Sequence, residues 1–284
     1  MDRRRFLAGL GAGAAVGLAG CGDDSGVSGG NGTGDSPDGG ADRPFADAEW
    51  RDGDGLALDA LAETHAATFV DAGGFTLFST AETSHDGDEE PTPWLPSQTY
   101  ESGYDLENGR QHVKQEITGS GDADVTELYV ADDELLFRRR VDGETQYDRQ
   151  SVSRSEADLE ESLRQEALTG IRVESETESG ETQYEGLNRW NVTSDGEGEI
   201  RGEQTARFTA DEFTAERNIP ETVETASATA HVYEAGVVPR LEQSWSGEHD
   251  GQQAAVDIDI DYRDPGAEIP EPDWVADARE ATDG

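Results

Sequence analysis

Two periodicities run through this chain, one of three to four residues and one of two. Leu58, Leu61, His65 and Phe69 recur at three- and four-residue steps, with Ala62 and Ala66 between them. That spacing lays an apolar stripe along a helix and requires something for the stripe to face. Gly73 and Gly74 stop this helix, because glycine closes a last turn in the left-handed conformation at no steric cost. A second helix is predicted over 155–168, where Ser155 and Asp158 make a capping pair and Leu159, Leu163 and Ala167 form the buried side. A third is predicted after Thr209. Thr209 and Glu212 read as a capping box, Phe208 and Phe213 take the two positions of a hydrophobic staple, and Asn218 before Ile219-Pro220 would end it.

The period of two fills most of the rest. Strands are predicted over 75–82, 99–107, 110–118, 124–131, 134–141, 144–150, 171–178, 182–192, 224–233, 237–246 and 253–263, about eleven in all. Asn108-Gly109 and Asp142-Gly143 supply two-residue hairpin turns, since both central positions need positive φ, and Ala235-Gly236 turns the next pair. Strands joined this tightly are antiparallel neighbours. In the last of them Ala254, Val256, Ile258, Ile260 and Tyr262 point one way and Asp257, Asp259 and Asp261 the other, the pattern of a sheet wet on one face. The same alternation sets Phe75 with Leu77, Leu128 with Val130, and Leu135 with Phe137. The fold class is therefore α+β, a curled eleven-stranded antiparallel sheet with about three helices covering its concave side. Whatever the helices leave open becomes a cavity. Its candidate lining is Phe75, Leu77, Leu128, Val130, Leu135, Phe137, Val256, Ile258 and Ile260.

Composition changes the picture of where such a domain works. The 284 residues carry 64 acidic and 21 basic side chains, a formal charge of −43, and the only lysine is Lys114. A phosphate-binding face is excluded, so nucleic acid is not a partner. In about 1 M salt the Debye length is only ~3 Å, which screens the repulsion while hydrated carboxylates keep the chain soluble. Such a surface suits an extreme halophile.

The N-terminal residues 1–21 read as a twin-arginine export signal. Arg3, Arg4 and Arg5 precede an apolar run from Phe6 to Leu18, too short for a bilayer that needs about 20 residues. Leu18, Ala19, Gly20 and Cys21 form a lipobox, and Cys21 is the only cysteine. It is the expected site of lipid attachment, so the chain has no internal disulfide and its expected partner is the membrane. The expected location is the outer face of the cytoplasmic membrane, reached by export. Residues 22–48 are an acidic Gly/Ser linker with a reach of roughly 30 Å. The domain itself is expected over 49–275, and 276–284 read as a disordered tail.

Taken together, the lipobox, the leading helix, the long antiparallel meander, the stretch Val237-Val238-Pro239-Arg240-Leu241-Glu242 and the ending Ile269-Pro270-Glu271-Pro272 before Trp274 resemble the LolA and LppX/LprG group of lipoprotein and lipid carriers. More narrowly they resemble lipoproteins of halophilic archaea with this fold. The resemblance covers about residues 55–275. It implies an eleven-stranded half-barrel whose mouth is closed by helices and which holds acyl chains inside. A lipid or other apolar molecule is then the expected ligand. The alternative is a non-catalytic envelope interaction or structural lipoprotein whose half-barrel is filled by its own side chains.

Candidate chemistry adds little. His65, His85, His112, His231 and His249 form no HExxH or cysteine-histidine pair, so neither a metal nor any other cofactor is expected. Asp257, Asp259 and Asp261 imitate the start of a calcium loop, but Tyr262 stands where its glycine should be. No Ser-His-Asp or Cys-His arrangement can be ordered, and no enzyme is expected. Within the basic triplet Arg138, Arg139 and Arg140, the alternate pair Arg138 and Arg140 could clamp an anionic headgroup at a cavity mouth. Asn191-Val192-Thr193 and Asn31-Gly32-Thr33 fit the N-glycosylation pattern.

Overall fold

The computed structural model describes residues 44–87, 96–118, 124–141, 143–176, 182–212, 222–249 and 251–283. Cys21, Asn31, the export signal and most of the expected linker lie outside the described residues. A small hairpin of β1 (Arg51–Asp52) and β2 (Gly55–Leu56) leads into α1 (Leu58–Ala72). α1 buries Leu61, Ala62, His65, Ala66 and Phe69 and ends at Gly73, whose φ of 80° lets its N–H fold back onto the Val70 carbonyl at 2.9 Å.

Six strands follow as a meander: β3 (Gly74–His85), β4 (Ser97–Asp105), β5 (Arg110–Thr118), β6 (Asp124–Ala131), β7 (Glu134–Val141) and β8 (Glu144–Ser151). α2 (Glu156–Ala167) then starts at a complete capping box, with Ser155 and Asp158 bonding each other's backbone N–H. β9 (Val173–Glu176) and β10 (Thr182–Glu185) pair only with each other, and a single 3-10 turn, Leu187–Arg189, follows. A second meander comprises β11 (Thr193–Ile200), β12 (Glu203–Ala210), β13 (Thr222–Tyr233), β14 (Arg240–His249) and β15 (Gln252–Arg263). The chain ends in α3 (Val275–Thr282).

One antiparallel sheet of eleven strands contains both meanders, in the order β11-β12-β13-β14-β15-β3-β4-β5-β6-β7-β8. The joint is β15 against β3, paired from Arg263↔Thr76 to Ala254↔His85. The sheet does not close on itself and forms a curled half-barrel. α1 and α2 share one core with the inner face, in which Leu61, Phe69, Leu163, Phe75, Leu77 and Tyr262 are buried. Within it Phe69 stacks on Phe75 at 4.5 Å, and His65 meets Tyr262 edge-on at 4.6 Å.

The expected strand number holds while its membership changes. The strands expected over 171–178 and 182–192 are replaced by the separate β9–β10 hairpin and the 3-10 turn. Their places in the sheet are taken by β11 and β12. β11 has no apolar alternation to detect, because it is an edge strand with a register shift between Ser194 and Glu197 and a glycine, Gly196, at φ 89°. The capping signal at Thr209 is likewise overruled. Phe208 and Thr209 lie in β12, and Phe208 is fully buried in the inner core instead of stapling a helix. Residues 213–221, where that helix was expected, lie outside the described residues.

Two further expectations are corrected. The Asn108-Gly109 connection is a four-residue loop, since Asp105 pairs with Arg110 and its carboxylate accepts from Asn108 N at 3.0 Å and Nδ2 at 2.8 Å. Val141↔Glu144 does bracket a two-residue turn, with Gly143 at φ 77°. The tail expected to be disordered carries α3, which packs on the outer face, where Trp274, Val275 and Ala278 cluster with Tyr129, Leu136 and Tyr147. A helix this short takes its stability from such packing and not from propensity, which is why composition alone misreads it.

Candidate ligand-binding site

The strand registers put all nine candidate lining residues on the inner face. Leu77 pairs with Ser102, Ser102 with Val113, Val113 with Leu128, and Leu128 with Phe137, giving one row across five strands. The neighbouring row runs Phe75, Tyr104, Gln111, Val130, Leu135. On the other side Tyr262 pairs with Leu77, which carries Val256, Ile258 and Ile260 to the same face.

Their surroundings divide them. Phe75, Leu77, Val256 and Ile260 are buried under α1 and α2, and Ile258 packs against the same core. That half of the half-barrel is filled by the protein's own side chains. Over β5 to β7 the inner face differs, because Val113, Leu128 and Leu135 keep part of their surface exposed beside the buried Val130 and Phe137. The open part of the face thus holds a short apolar strip, bordered by Gln115, Thr126 and Arg139 in the next row and by Asp148 and Gln150 of β8.

A buried polar group stands at the boundary between the two halves. Glu166 of α2 sits 9% exposed, and its Oε1 accepts from Ser102 Oγ at 2.9 Å, in the same row as Val113 and Leu128. The Tyr100 hydroxyl, one row along, is the other partner of this carboxyl. Burial pushes the Glu166 pKa above its ordinary value, against the opposing bonds from Ser102 and Tyr100. Burial also pushes the Tyr100 and Tyr104 phenols well up, with the neighbouring Glu166 adding to it. In the next row Arg154 donates to Gln111 Oε1 at 2.6 Å, and Gln111 Nε2 donates to the Tyr104 oxygen at 2.7 Å.

Sequence reasoning did not single out Glu166, Ser102 or Tyr100. A signal existed: Leu159, Leu163 and Glu166 fall at helical steps, so a carboxylate occupied the next position of an apolar stripe. Tyr100, Ser102 and Tyr104 likewise share one side of β4.

Arg138 and Arg140 are elsewhere. Arg138 pairs with Tyr147 and Glu127, and Arg140 with Val125, which sets both on the outer face, away from the apolar strip. The Arg138 guanidinium is hydrogen-bonded to the buried Glu127 carboxylate and lies 5.6 Å from the Trp274 ring. Burial would raise Glu127, but bonds from His112 and Arg138 hold it below its ordinary value. Arg138 therefore fastens the C-terminal helix and does not guard the cavity mouth. Asn191 is exposed in the short link before β11, with Thr193 as that strand's first residue, open to modification and remote from the strip.

Two concavities have mixed walls. One of about 440 Å³ lies on the outer face among Glu82, Glu242, Asp257 and Asp259, with Ile258 at its edge. One of about 420 Å³ lies at the start of α2 among Asn108, Asp132, Arg154 and Glu156, with the candidate lining residue Val130 and Leu159 on its wall. Among the described residues no group of three or more His, Cys, Asp or Glu could hold a metal ion. No helix among them is long and apolar enough to cross a membrane.

Sheet order, register and helix placement define the class, an α+β half-barrel of eleven antiparallel strands with an inner apolar face. The chain belongs to a family of unknown function, DUF7537, whose model matches residues 8–278. No curated protein matches it. Among solved structures it is similar to the ywiB protein of Bacillus subtilis, at 10% identity and a TM-score of 0.16, over 66% of this chain and 90% of that one. It is also similar to a DUF1329 family protein of Desulfovibrio piger, at 10% identity and a TM-score of 0.18, over 76% and 95%.

Proposed function

We propose that this chain is an exported, non-catalytic lipoprotein, anchored through a lipid on Cys21 to the outer face of the cytoplasmic membrane, that binds the apolar chain of a lipid inside its half-barrel. The ligand lies along the strip of Val113, Leu128 and Leu135. The observation that carries this reading is the partial exposure of those three apolar residues on the inner face, beyond the part that α1 and α2 fill. Partly exposed apolar residues lined up on an inner wall gain by covering, about 25 cal/mol per Å², and a membrane tether supplies lipid at close range. Two chains on Cys21 are expected, since one gives only marginal attachment.

Organic extraction of the purified protein followed by mass spectrometry tests the reading. About one equivalent of a co-purifying lipid, reduced by Leu128→Arg, is the expected result. Absence of any bound lipid, together with no binding of a neutral fluorescent hydrophobe, refutes it. One observation favours a second reading, a filled envelope interaction protein: Phe69, Phe75, Leu77 and Tyr262 leave no room under the helices. Cross-linking in living cells that traps a single protein partner on the intact half-barrel would support that reading instead.

A further inference from the structure

The apolar strip ends at a group the lipid-binding reading does not use. Glu166 is held against Ser102, and Ser102 is the immediate neighbour of Val113 in the cross-strand row that continues into Leu128 and Phe137. Tyr100 is partly exposed, bonds the same carboxyl, and pairs with Gln115, whose amide donates to Gln98 Oε1 at 2.8 Å. A molecule lying along the strip would therefore meet hydrogen-bonding groups at its β4 end and hydrocarbon over Val113, Leu128 and Phe137 before the row reaches Asp148 of β8, the arrangement of a site that recognises a chain with a polar head.

We infer that Glu166, Ser102 and Tyr100 form the headgroup pocket of this strip and select an apolar chain ending in an uncharged hydroxyl over one ending in a carboxylate. The inference rests on the lipid-binding reading above.

Charge on the inner face carries the selectivity. On this face the Arg154 guanidinium is held on Gln111 Oε1, and Arg139 lies 4.0 Å from Asp124. A carboxylate head would have to leave water and settle beside a buried acid, which is costly in a low-dielectric site. A hydroxyl head has no such cost. It brings its own proton and can donate to a Glu166 oxygen, whereas a carboxylate head only accepts, and the Ser102 and Tyr100 protons are already directed at Glu166. The whole-chain charge of −43 acts in the same direction.

Displacement of N-phenyl-1-naphthylamine from the full chain carrying Cys21→Ser, in molar KCl, tests this with decan-1-ol and decanoate as matched competitors. Decan-1-ol should displace the probe at a concentration at least about tenfold lower than decanoate. In Glu166→Gln that ratio should fall to within about threefold, because the glutamine amide brings N–H groups that can donate to a carboxylate head. Tyr100→Phe, which keeps the ring, should lower the ratio as well by removing a partner of the hydroxyl. Each ratio is taken within one variant, so a general loss of stability or binding cancels. Equal displacement by the two competitors in the wild type overturns the headgroup inference and leaves the strip intact. An undiminished ratio in both variants does the same. Failure of the probe to bind at all overturns the strip, and the headgroup pocket with it.

Discussion

The backbone N–H of Val238 donates to Nδ1 of His65 at 3.0 Å, tying α1 to the lead-in of β14 across 173 positions of sequence. An accepting Nδ1 requires neutral imidazole. Burial lowers the His65 pKa from 6.5 to about 3, only partly offset by the Ala167 carbonyl. In the unfolded chain the same histidine titrates near 6.5, so between 6.5 and 3 the unfolded state binds the extra proton. The stability that neutral His65 provides is complete above pH 6.5 and is lost as pH falls toward 3, at up to about 1.4 kcal/mol per pH unit. Urea unfolding of wild type and His65→Gln should therefore differ by about 1–3 kcal/mol at pH 7.5 and by clearly less at pH 5. Parallel pH profiles would contradict this account.

Glu166 works in the opposite sense. Its folded pKa lies above the ordinary 4.5, so the fold favours the protonated acid, and the contribution is fully present below 4.5 and lost as pH rises through the folded value. Glu166→Gln keeps the shape and stays neutral. The variant should match wild type near pH 4 and exceed it in urea unfolding at pH 8. A variant less stable than wild type at pH 8 would mean that the ionised carboxylate is what Ser102 and Tyr100 hold.

Much of this was legible in the chain, and the rest was hidden for identifiable reasons. The strands β5, β6 and β7 are legible from β-branched and aromatic residues between short turns, with Leu128 and Val130 set against Tyr129 in β6. The nine inner-face residues follow from the same parity. Phe208 and Thr209 misled because a capping box and a strand end use the same residue types, and only the register with Ala230 decides that Phe208 faces the core. β11 was invisible since an edge strand needs glycine and charge more than it needs pattern. The sequence put Arg138 and Arg140 together without telling which face of β7 they take, because both faces there bury an apolar residue, Phe137 on one and Leu136 on the other. Glu166 escaped for a different reason: in a chain with 64 acids, one buried carboxylate is lost among solvated ones.

Like charges face each other across the outer sheet. Glu82 is directly opposite Asp257, and Glu242 is directly opposite Asp259, with Arg240 the cation that reaches both members of the second pair. Opposed like charges cost up to about 1 kcal/mol when unscreened. Going from about 3 M to about 0.1 M KCl lengthens the Debye length to ~10 Å, so the thermal midpoint should fall sharply. Asp257→Asn, which relieves the unbridged pair, should recover part of that loss at low salt and change little at high salt. A midpoint independent of salt would remove the halophilic reading of the surface.

Trp274 anchors a strap that crosses the outer face of the sheet. After β15 the chain bonds Ile269 N to Asp105 and receives Arg110 Nη1 on the Ile269 carbonyl at 3.1 Å. It then seats Trp274 against Tyr147, ring centres 6.5 Å apart, before α3 closes over Leu136. Arg279 adds ion pairs to Glu134 and to Glu271. The strap thus spans β4 to β8, the half of the half-barrel whose inner side carries the open strip. Without it, the curl of β6 to β8 would rest on strand pairing alone. Trp274→Ala removes a side chain only 5% exposed and should cost about 3 kcal/mol. The loss should be local as well as global: amide exchange should accelerate in β7 and β8 while β13 to β15 stay protected. If the strip binds lipid, the same variant should weaken that binding without any change to an inner-face residue, since the wall that holds Leu128 and Leu135 in place is the one the strap braces. A cost below about 1 kcal/mol, or exchange unchanged in β7 and β8, would show that the sheet keeps its curvature unaided.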